Sequence, residues 1–268
     1  MILNRPVRLL YFSPTGTTRK ILEKIAEGIG EDQPEHIDLT SPEARMGQHS
    51  KIKRGLTIIG VPVYTGRVAL EAIRGIGQFK ATDAPAIVVV VYGNREYEDA
   101  LLELQNITVE AGFTPIAGAA FIGEHSLSTK DVPVAHGRPD SEDLDCAAAF
   151  GSLVNEKLTK TDSLSSVSPL KIPGNFPYRE RGPARHVSPD SDDSTCTRCE
   201  KCREVCPTAA ITLVEGYIQT EKNKCILCCA CVKSCPYGAR HLNDPQLRQF
   251  IQQLSITCSM RKDPEFYL

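Results

Sequence analysis

The chain has 268 residues, 41% of them hydrophobic, with 31 Lys and Arg against 33 Asp and Glu and a formal net charge of -2. That length predicts two domains, and the apolar content is enough for a proper core in at least one of them. No basic run points to nucleic acid, and the longest strongly apolar run, Ala86 to Tyr92, is far too short to span a bilayer. The opening MILNRPVRLL lacks the apolar stretch and small-residue cleavage site of a signal peptide, so a soluble cytoplasmic protein is expected.

Val7 to Phe12 reads VRLLYF, a short strand. It is followed at once by Ser13-Pro14-Thr15-Gly16-Thr17-Thr18 and by a helical pattern with Ile21, Leu22, Ile25 and Ile29 on one face. Strand, hydroxyl-rich loop, helix is a phosphate-binding arrangement: N–H groups at the helix start point into the loop, Gly16 permits close backbone approach, and the hydroxyls donate further bonds. Ser and Thr are ordinary helix caps, but four hydroxyls and a glycine in six residues exceed what capping requires. Neither Gly-x-x-x-x-Gly-Lys-Ser/Thr nor Gly-x-Gly-x-x-Gly after a strand occurs, which disfavours ATP and a Rossmann-bound dinucleotide.

Further strands are predicted over Glu35 to Leu39, Leu56 to Val63, Ala86 to Tyr92 and Thr114 to Ile122, with helices near 68–79, 95–111 and 141–160. The expected fold class is α/β, a doubly wound five-stranded parallel sheet covered on both faces. In the flavodoxin-like strand order FMN lies at the carboxyl ends of the strands, beside the topological switch point. Two loops reach that edge: Pro62-Val63-Tyr64-Thr65-Gly66-Arg67, and Tyr92-Gly93-Asn94-Arg95 with Tyr97 just beyond.

On these loops the chain resembles the flavodoxin family over roughly residues 5 to 160. The resemblance implies FMN phosphate at Ser13, Thr15, Gly16, Thr17 and Thr18, with the ring between residues 62–67 and 92–97. The chain has no tryptophan, so Tyr64, Tyr92 or Tyr97 supplies any aromatic stacking; each reads equally as packing at a strand end. Arg67 and Arg95 read as counter-charges for reduced flavin, as docking residues, or as solvated charges. The stretch from Glu124 to Pro139 is longer than an ordinary strand-to-helix loop, and its His125 and His136 read as surface residues.

From Thr161 to Thr195 the sequence is rich in serine and carries five prolines, a domain connection that either tethers loosely or is pinned across the flavin edge. There follow Cys196-x2-Cys199-x2-Cys202-x3-Cys206-Pro207 and, 29 residues on, Cys225-x2-Cys228-x2-Cys231-x3-Cys235-Pro236, using eight of eleven cysteines. Three cysteines one turn apart can close on three iron corners of a cubane from one tight loop, whereas the fourth, before a helix-stopping proline, points away. A zinc ribbon needs paired C-x-x-C, and a disulfide framework belongs to small secreted chains. Cys229 is out of register with its triplet and reads as a packed or free thiol; Cys146 and Cys258 fall in helical patterns and read as small core residues. Asn243-Asp244-Pro245 is a helix start, with Leu247, Phe250, Ile251 and Leu254 as an apolar stripe that packs on its own protein.

The repeated spacing is similar to that of bacterial two-cluster ferredoxins, in which the fourth cysteine serves the other cluster. The resemblance implies one 4Fe-4S cluster on Cys196, Cys199, Cys202 and Cys235 and a second on Cys225, Cys228, Cys231 and Cys206. The whole chain resembles the flavodoxin-ferredoxin fusion family of iron-sulfur flavoproteins found mainly in anaerobes. The expected division is a flavodoxin-like FMN domain over 1–160, a Pro/Ser-rich linker over 161–190, a small α+β ferredoxin-like domain over 191–242 and a helical tail over 243–268.

FMN takes electrons singly or in pairs while each cubane passes one, so the leading expectation is electron transfer with a redox protein partner such as ferredoxin. A flavin-dependent reductase of NAD(P)H, a quinone or another small acceptor is the enzymatic alternative, and an electron-relay subunit of a larger redox complex the third. Residues 1–160 carry 17 basic against 21 acidic side chains and residues 196–240 carry 7 against 4. The opposite balance predicts that the ferredoxin part docks on the flavodoxin part within a chain or across a homodimer, through Lys222, Lys224 or Lys233.

Overall fold

The computed structural model describes residues 6–47, 51–161, 163–164, 167–183 and 185–268. The first part of the chain gives β1 (Val7–Tyr11), α1 (Thr17–Ile29), β2 (Glu35–Asp38), α2 (Pro42–Met46), β3 (Ile52–Lys53), β4 (Leu56–Tyr64), β5 (Arg67–Val68) and α3 (Leu70–Ile76). It continues with β6 (Ala81–Thr82), β7 (Pro85–Tyr92), α4 (Ala100–Glu110), β8 (Thr114–Ile122) and α5 (Ser141–Thr159). The cysteine-rich part contains β9 (Asp190–Ser191), α6 (Lys201–Glu204), β10 (Ile211–Val214), β11 (Tyr217–Thr220), α7 (Ala230–Lys233) and β12 (Arg240–His241), and the chain ends in α8 (Pro245–Thr257) and β13 (Glu265–Tyr267).

Strands β2, β1, β4, β7 and β8 lie side by side in that order and all pair parallel. This is the flavodoxin-like order, with its switch point between β1 and β4. Strand β7, PAIVVVVY, is buried at every position, as a central parallel strand covered on both faces must be. Successive residues serve opposite layers. Val88 and Val90 join Leu10 and Ile59 beneath α3 and α4, whereas Val89 joins Leu9, Ile58 and Phe121 against α1 and α5. The expected stripe of α1, Ile21, Leu22, Ile25 and Ile29, is buried in the second layer.

The sheet is wider than five strands. β5 folds back on β4, and β13, at the far end of the chain, adds antiparallel to the edge strand β8. The carboxyl-terminal tail therefore is not helical throughout: after α8 it returns to the α/β sheet. Phe266 stacks on Phe150 with centroids 4.8 Å apart, and Asn94 Nδ2 donates to the carbonyls of Cys258 and Met260, each at 2.8 Å.

The connection before the cysteines is pinned rather than loose. Asp99 accepts the N–H groups of Asn175 and Arg179 at 2.8 and 2.7 Å, Asn106 donates to the Tyr178 hydroxyl at 2.6 Å, and Arg181 pairs with Glu103 at 2.9 Å. In the cysteine-rich part the 29-residue repeat extends to the backbone. Arg198 and Leu227, Glu200 and Cys229, and Ala209 and Gly238 are equivalent positions, and all six have positive φ, between 48° and 65°. Cys229 thus occupies the left-handed position that Glu200 fills in the first copy, just before a four-residue helix.

Helices α1 and α5 touch backbone to backbone. A Cβ on Gly28 would sit 2.0 Å from the Ala148 carbonyl oxygen, and one on Gly151 2.2 Å from that of Ile25. Gly28→Ala is expected to lower stability by about 1–3 kcal/mol, the ordinary range for overpacking, read as a lower urea midpoint with unchanged slope. An unchanged midpoint would contradict this packing.

Candidate functional site

The loop after β1 is built as an anion cradle. Gly16 takes φ 77° and its N–H closes a turn on the Ser13 carbonyl at 3.0 Å. Gly16, which has no side chain to cap with, is the N-cap of α1, and the first turn carries no acid. The leading N–H groups of Thr17 and Thr18 are therefore left to an outside acceptor, at the positive end of the helix dipole. Ser13 Oγ accepts from Arg19 N at 3.1 Å, Thr40 Oγ1 accepts from Ser13 N at 2.8 Å, and the Thr15 and Thr17 hydroxyls lie 3.0 Å apart.

This loop opens into a cavity of about 950 Å³, at the top of the usual range for small-molecule sites, about 300–1,000 Å³. Ser13, Thr15, Thr17 and Thr18 line one end; Pro62, Val63, Tyr64 and Thr65, then Tyr92, Gly93 and Arg95, line its flanks. The first flank is the β4–β5 hairpin, whose two turn residues, Thr65 and Gly66, have φ 54° and 76°, the geometry that matches strand twist. The opposite wall is the second cysteine loop, with Cys225, Ile226, Leu227 and Cys228.

Several residues expected at the flavin are used elsewhere. Gly66, Arg67, Asn94 and Tyr97 are absent from this lining. Arg67 forms a bidentate pair with Glu103 at 2.6 and 2.8 Å and lies over the Tyr178 ring. Asn94 holds the tail as described, and the Tyr97 hydroxyl contacts Glu265 and Tyr267 of β13 at 2.7 and 2.8 Å. Of the three expected tyrosines, Tyr64 and Tyr92 line the cavity. Burial, reinforced by the neighbouring Cys228 and Cys229, holds the Tyr64 phenol well above its ordinary pKa.

Two residues that the sequence did not place at the site are central here. Arg45, from α2, is buried with no carboxylate in ion-pair contact among the described residues; it donates to the carbonyls of Leu39 and Thr40 at 2.8 and 2.7 Å and to that of Pro207, next to Cys206. Burial pushes its pKa down, with Glu71 opposing. His125, read from sequence as a surface residue, lines the cavity, and its ring covers Gly93 so closely that a Cβ there would sit 2.4 Å from Cδ2. Its Nδ1 accepts from Leu127 N at 3.2 Å, which puts the neutral ring's hydrogen on Nε2. Burial first, then Lys233 and Arg95, push its pKa down to about 4.

The two cysteine sets sit differently. Cys196, Cys199, Cys202 and Cys235 line one smaller cavity, with Cys199 exposed. Cys225, Cys228 and Cys231 are more enclosed; burial raises their thiols above the ordinary value, and Cys206 lies near enough to add to that rise. Burial alone would raise Cys235 too, but the N–H groups of Tyr237, Arg240, Ala239 and Gly238 outweigh it and lower that thiol. Of the three lysines expected to join the halves, Lys233 does so, 2.6 Å from Glu124; Lys224 pairs locally with Glu221.

Residues 188–236, which contain all eight motif cysteines, match the family model of a 4Fe-4S dicluster domain. The electron transport protein HydN of Escherichia coli is 39% identical over 62 residues, and the thiosulfate reductase electron transfer subunit PhsB of Salmonella typhi 44% identical over 52 residues. These matches cover 21% and 18% of this chain and 35% and 27% of the relatives, so the chain spans about a third or less of their length. Among solved structures, an archaeal flavodoxin is 15% identical with a TM-score of 0.37, covering 57% of this chain and 99% of its own. A flavodoxin of Fusobacterium nucleatum bound to flavin mononucleotide is 14% identical with a TM-score of 0.38, covering 57% and 96%. The strand order itself, 2-1-3-4-5 in the parallel sheet, makes the α/β part flavodoxin-like.

The chain joins a flavodoxin-like α/β fold to a 4Fe-4S dicluster domain. The two parts meet across one cavity, and Glu124 and His125, from the long loop after β8, stand on the boundary. Because the folded His125 ionises near 4 and a free histidine near about 6.5, the unfolded chain binds the extra proton in that window. The stability conferred by the neutral ring is complete above about pH 6.5 and is lost progressively as pH falls toward about 4. His125→Gln is expected to lose less stability than the parent between about pH 7 and about pH 5 in urea titrations; parallel pH profiles would contradict the half-buried neutral ring.

Proposed function

We propose that the chain is an electron-transfer iron-sulfur flavoprotein that binds FMN and two 4Fe-4S clusters and exchanges single electrons between them. One observation carries the reading: the hydroxyl loop of Ser13 to Thr18 and the cysteine loop of Cys225 to Cys228 line the same cavity. The donor set fits a phosphate monoester, since uncapped N–H groups and hydroxyls converge there without a carboxylate. Ser13, Thr15, Thr17 and Thr18, on the turn made by Gly16, would hold the phosphate; Tyr64, Tyr92 and Gly93 would flank the ring. Cys196, Cys199, Cys202 and Cys235 would hold one cluster, and Cys206, Cys225, Cys228 and Cys231 the other.

When bound, FMN supplies two-electron storage and the clusters supply one-electron relay. The chain's residues supply the rest. The pinned linker and α8 line one side of the cavity, and His125, with its hydrogen on Nε2, lines another. Arg45 keeps a positive charge, bonded only to backbone carbonyls, between the phosphate end and the Cys206 loop. Exposed Cys199 makes the first cysteine set the port for a one-electron protein carrier such as a ferredoxin.

A second reading, a flavin-dependent reductase of a small acceptor, is favoured by the size of the cavity, whose rim includes exposed Arg185 and Lys222. Anaerobic purification followed by iron, sulfide and flavin analysis tests the composition. Iron and sulfide matching two cubanes with stoichiometric FMN are expected; flavin without iron would defeat the assignment.

A buried cation favours the more negative, reduced state of a nearby centre. Arg45→Met is expected to lower the midpoint potential of the cluster on the Cys225 loop more than that of the other, read by an EPR-monitored redox titration. Equal shifts, or none, would contradict that role for Arg45.

A further inference from the structure

The rim of the cavity, where the linker meets the second cysteine loop, has no assigned use. Arg185 comes from the linker and Lys222 from the short turn before Cys225, and both side chains line the cavity and are exposed. They flank a hydrogen bond that closes the two lips, His186 Nδ1 to Asn223 Oδ1 at 2.7 Å. Neither forms an ion pair among the described residues, whereas their neighbours Arg179, Arg181 and Lys224 are each paired with a glutamate. Arg74, in α3, is another exposed lining cation without an ion pair among the described residues.

These cations are not needed by the flavin phosphate, whose cradle at the start of α1 is made of hydroxyls and N–H groups. Nor do they follow from composition, since the chain as a whole is net -2. The acids that share the lining are Glu71, which is buried, and Glu124, which is already held by Lys233. Beside the cations lies an apolar floor of Leu247 and Phe250, the latter 37% exposed, with the Arg185 guanidinium 5.1 Å above its ring centroid. The cation–π contact holds the guanidinium over the ring, and its N–H donors, which form no ion pair among the described residues, are available to an oxyanion.

We infer that this rim binds a small organic anion, a carboxylate or phosphate ester with an apolar body, whose charge is held by Arg185 and Lys222 and whose body packs on Leu247 and Phe250. The inference deepens the reductase reading, on which it rests for the ligand's purpose, by giving the class of small molecule that reaches the cavity. The cations select charge; the floor selects an apolar body over inorganic phosphate.

The test is isothermal calorimetry on the anaerobic holoprotein with 2-naphthoate and its uncharged analogue 2-naphthamide. Naphthoate is expected to bind at least about tenfold tighter than the amide, a difference of about 1.4 kcal/mol. The double variant Arg185→Gln/Lys222→Gln should reduce naphthoate to the level of the amide while leaving the amide unchanged, and Phe250→Ala should weaken both. Lys160→Gln, just after α5 and outside the cavity lining, should alter neither. Retained iron, sulfide and flavin content certifies that each variant is folded. Equal affinity for acid and amide, or a preference that survives in the double variant, overturns the site. The heat of binding is read whether or not flavin responds, so absence of FMN would overturn the reductase reading and leave this result to stand or fall separately.

Discussion

The cysteine-rich module is fastened to the α/β sheet at both of its ends, and the rest of the arrangement depends on that. On entry, the linker is bonded to Asp99, Glu103 and Asn106 of α4 and the residue before it. On exit, α8 packs Ile251 and Leu254 against Val134 of the long loop, and β13 extends the sheet edge. A module held at one end sweeps a volume set by its tether; held at both, it presents one loop to one cavity. Lys233 to Glu124 and Arg45 to Pro207 then fix which loop that is.

Charge burial at this boundary has a direction. The Cys225, Cys228 and Cys231 thiols are pushed above their ordinary values by burial, so loading the proposed cluster would release protons there. Arg45 carries the opposite charge into the same region with its donors satisfied by backbone carbonyls. A carboxylate partner would have cancelled its field; carbonyl dipoles leave a net cation facing both neighbours.

Much of this was legible in the sequence. The alternation of strand and helix, the uniformly apolar β7 and the hydroxyl loop before α1 each reflect local physics, and the structure reproduces them with ends shifted by a residue or a few. The cysteine repeat was legible down to Cys229, whose departure from register is explained by a left-handed backbone position shared with Glu200. What sequence left hidden is what depends on partners far along the chain. Tyr97 and Asn94 lie in a loop with flavin-like composition but bond to residues 258–267. Arg67 is committed to Glu103 and the linker. β13 is three residues long, too short for any period to declare it, and exists because β8 offers an edge. Arg45 and His125 carry no local signal of burial; only the assembled fold encloses them.

The central claim is that one chain holds its cluster loop and its flavin loop against a common cavity. Anaerobic stopped-flow mixing of the oxidised holoprotein with a substoichiometric reduced ferredoxin measures this directly, by following cluster and flavin absorbance together. The account predicts that electrons reach the flavin after the clusters in a first-order phase whose rate is independent of protein concentration. A flavin that stays oxidised while the clusters bleach, or one reduced at a rate proportional to protein concentration, would contradict it.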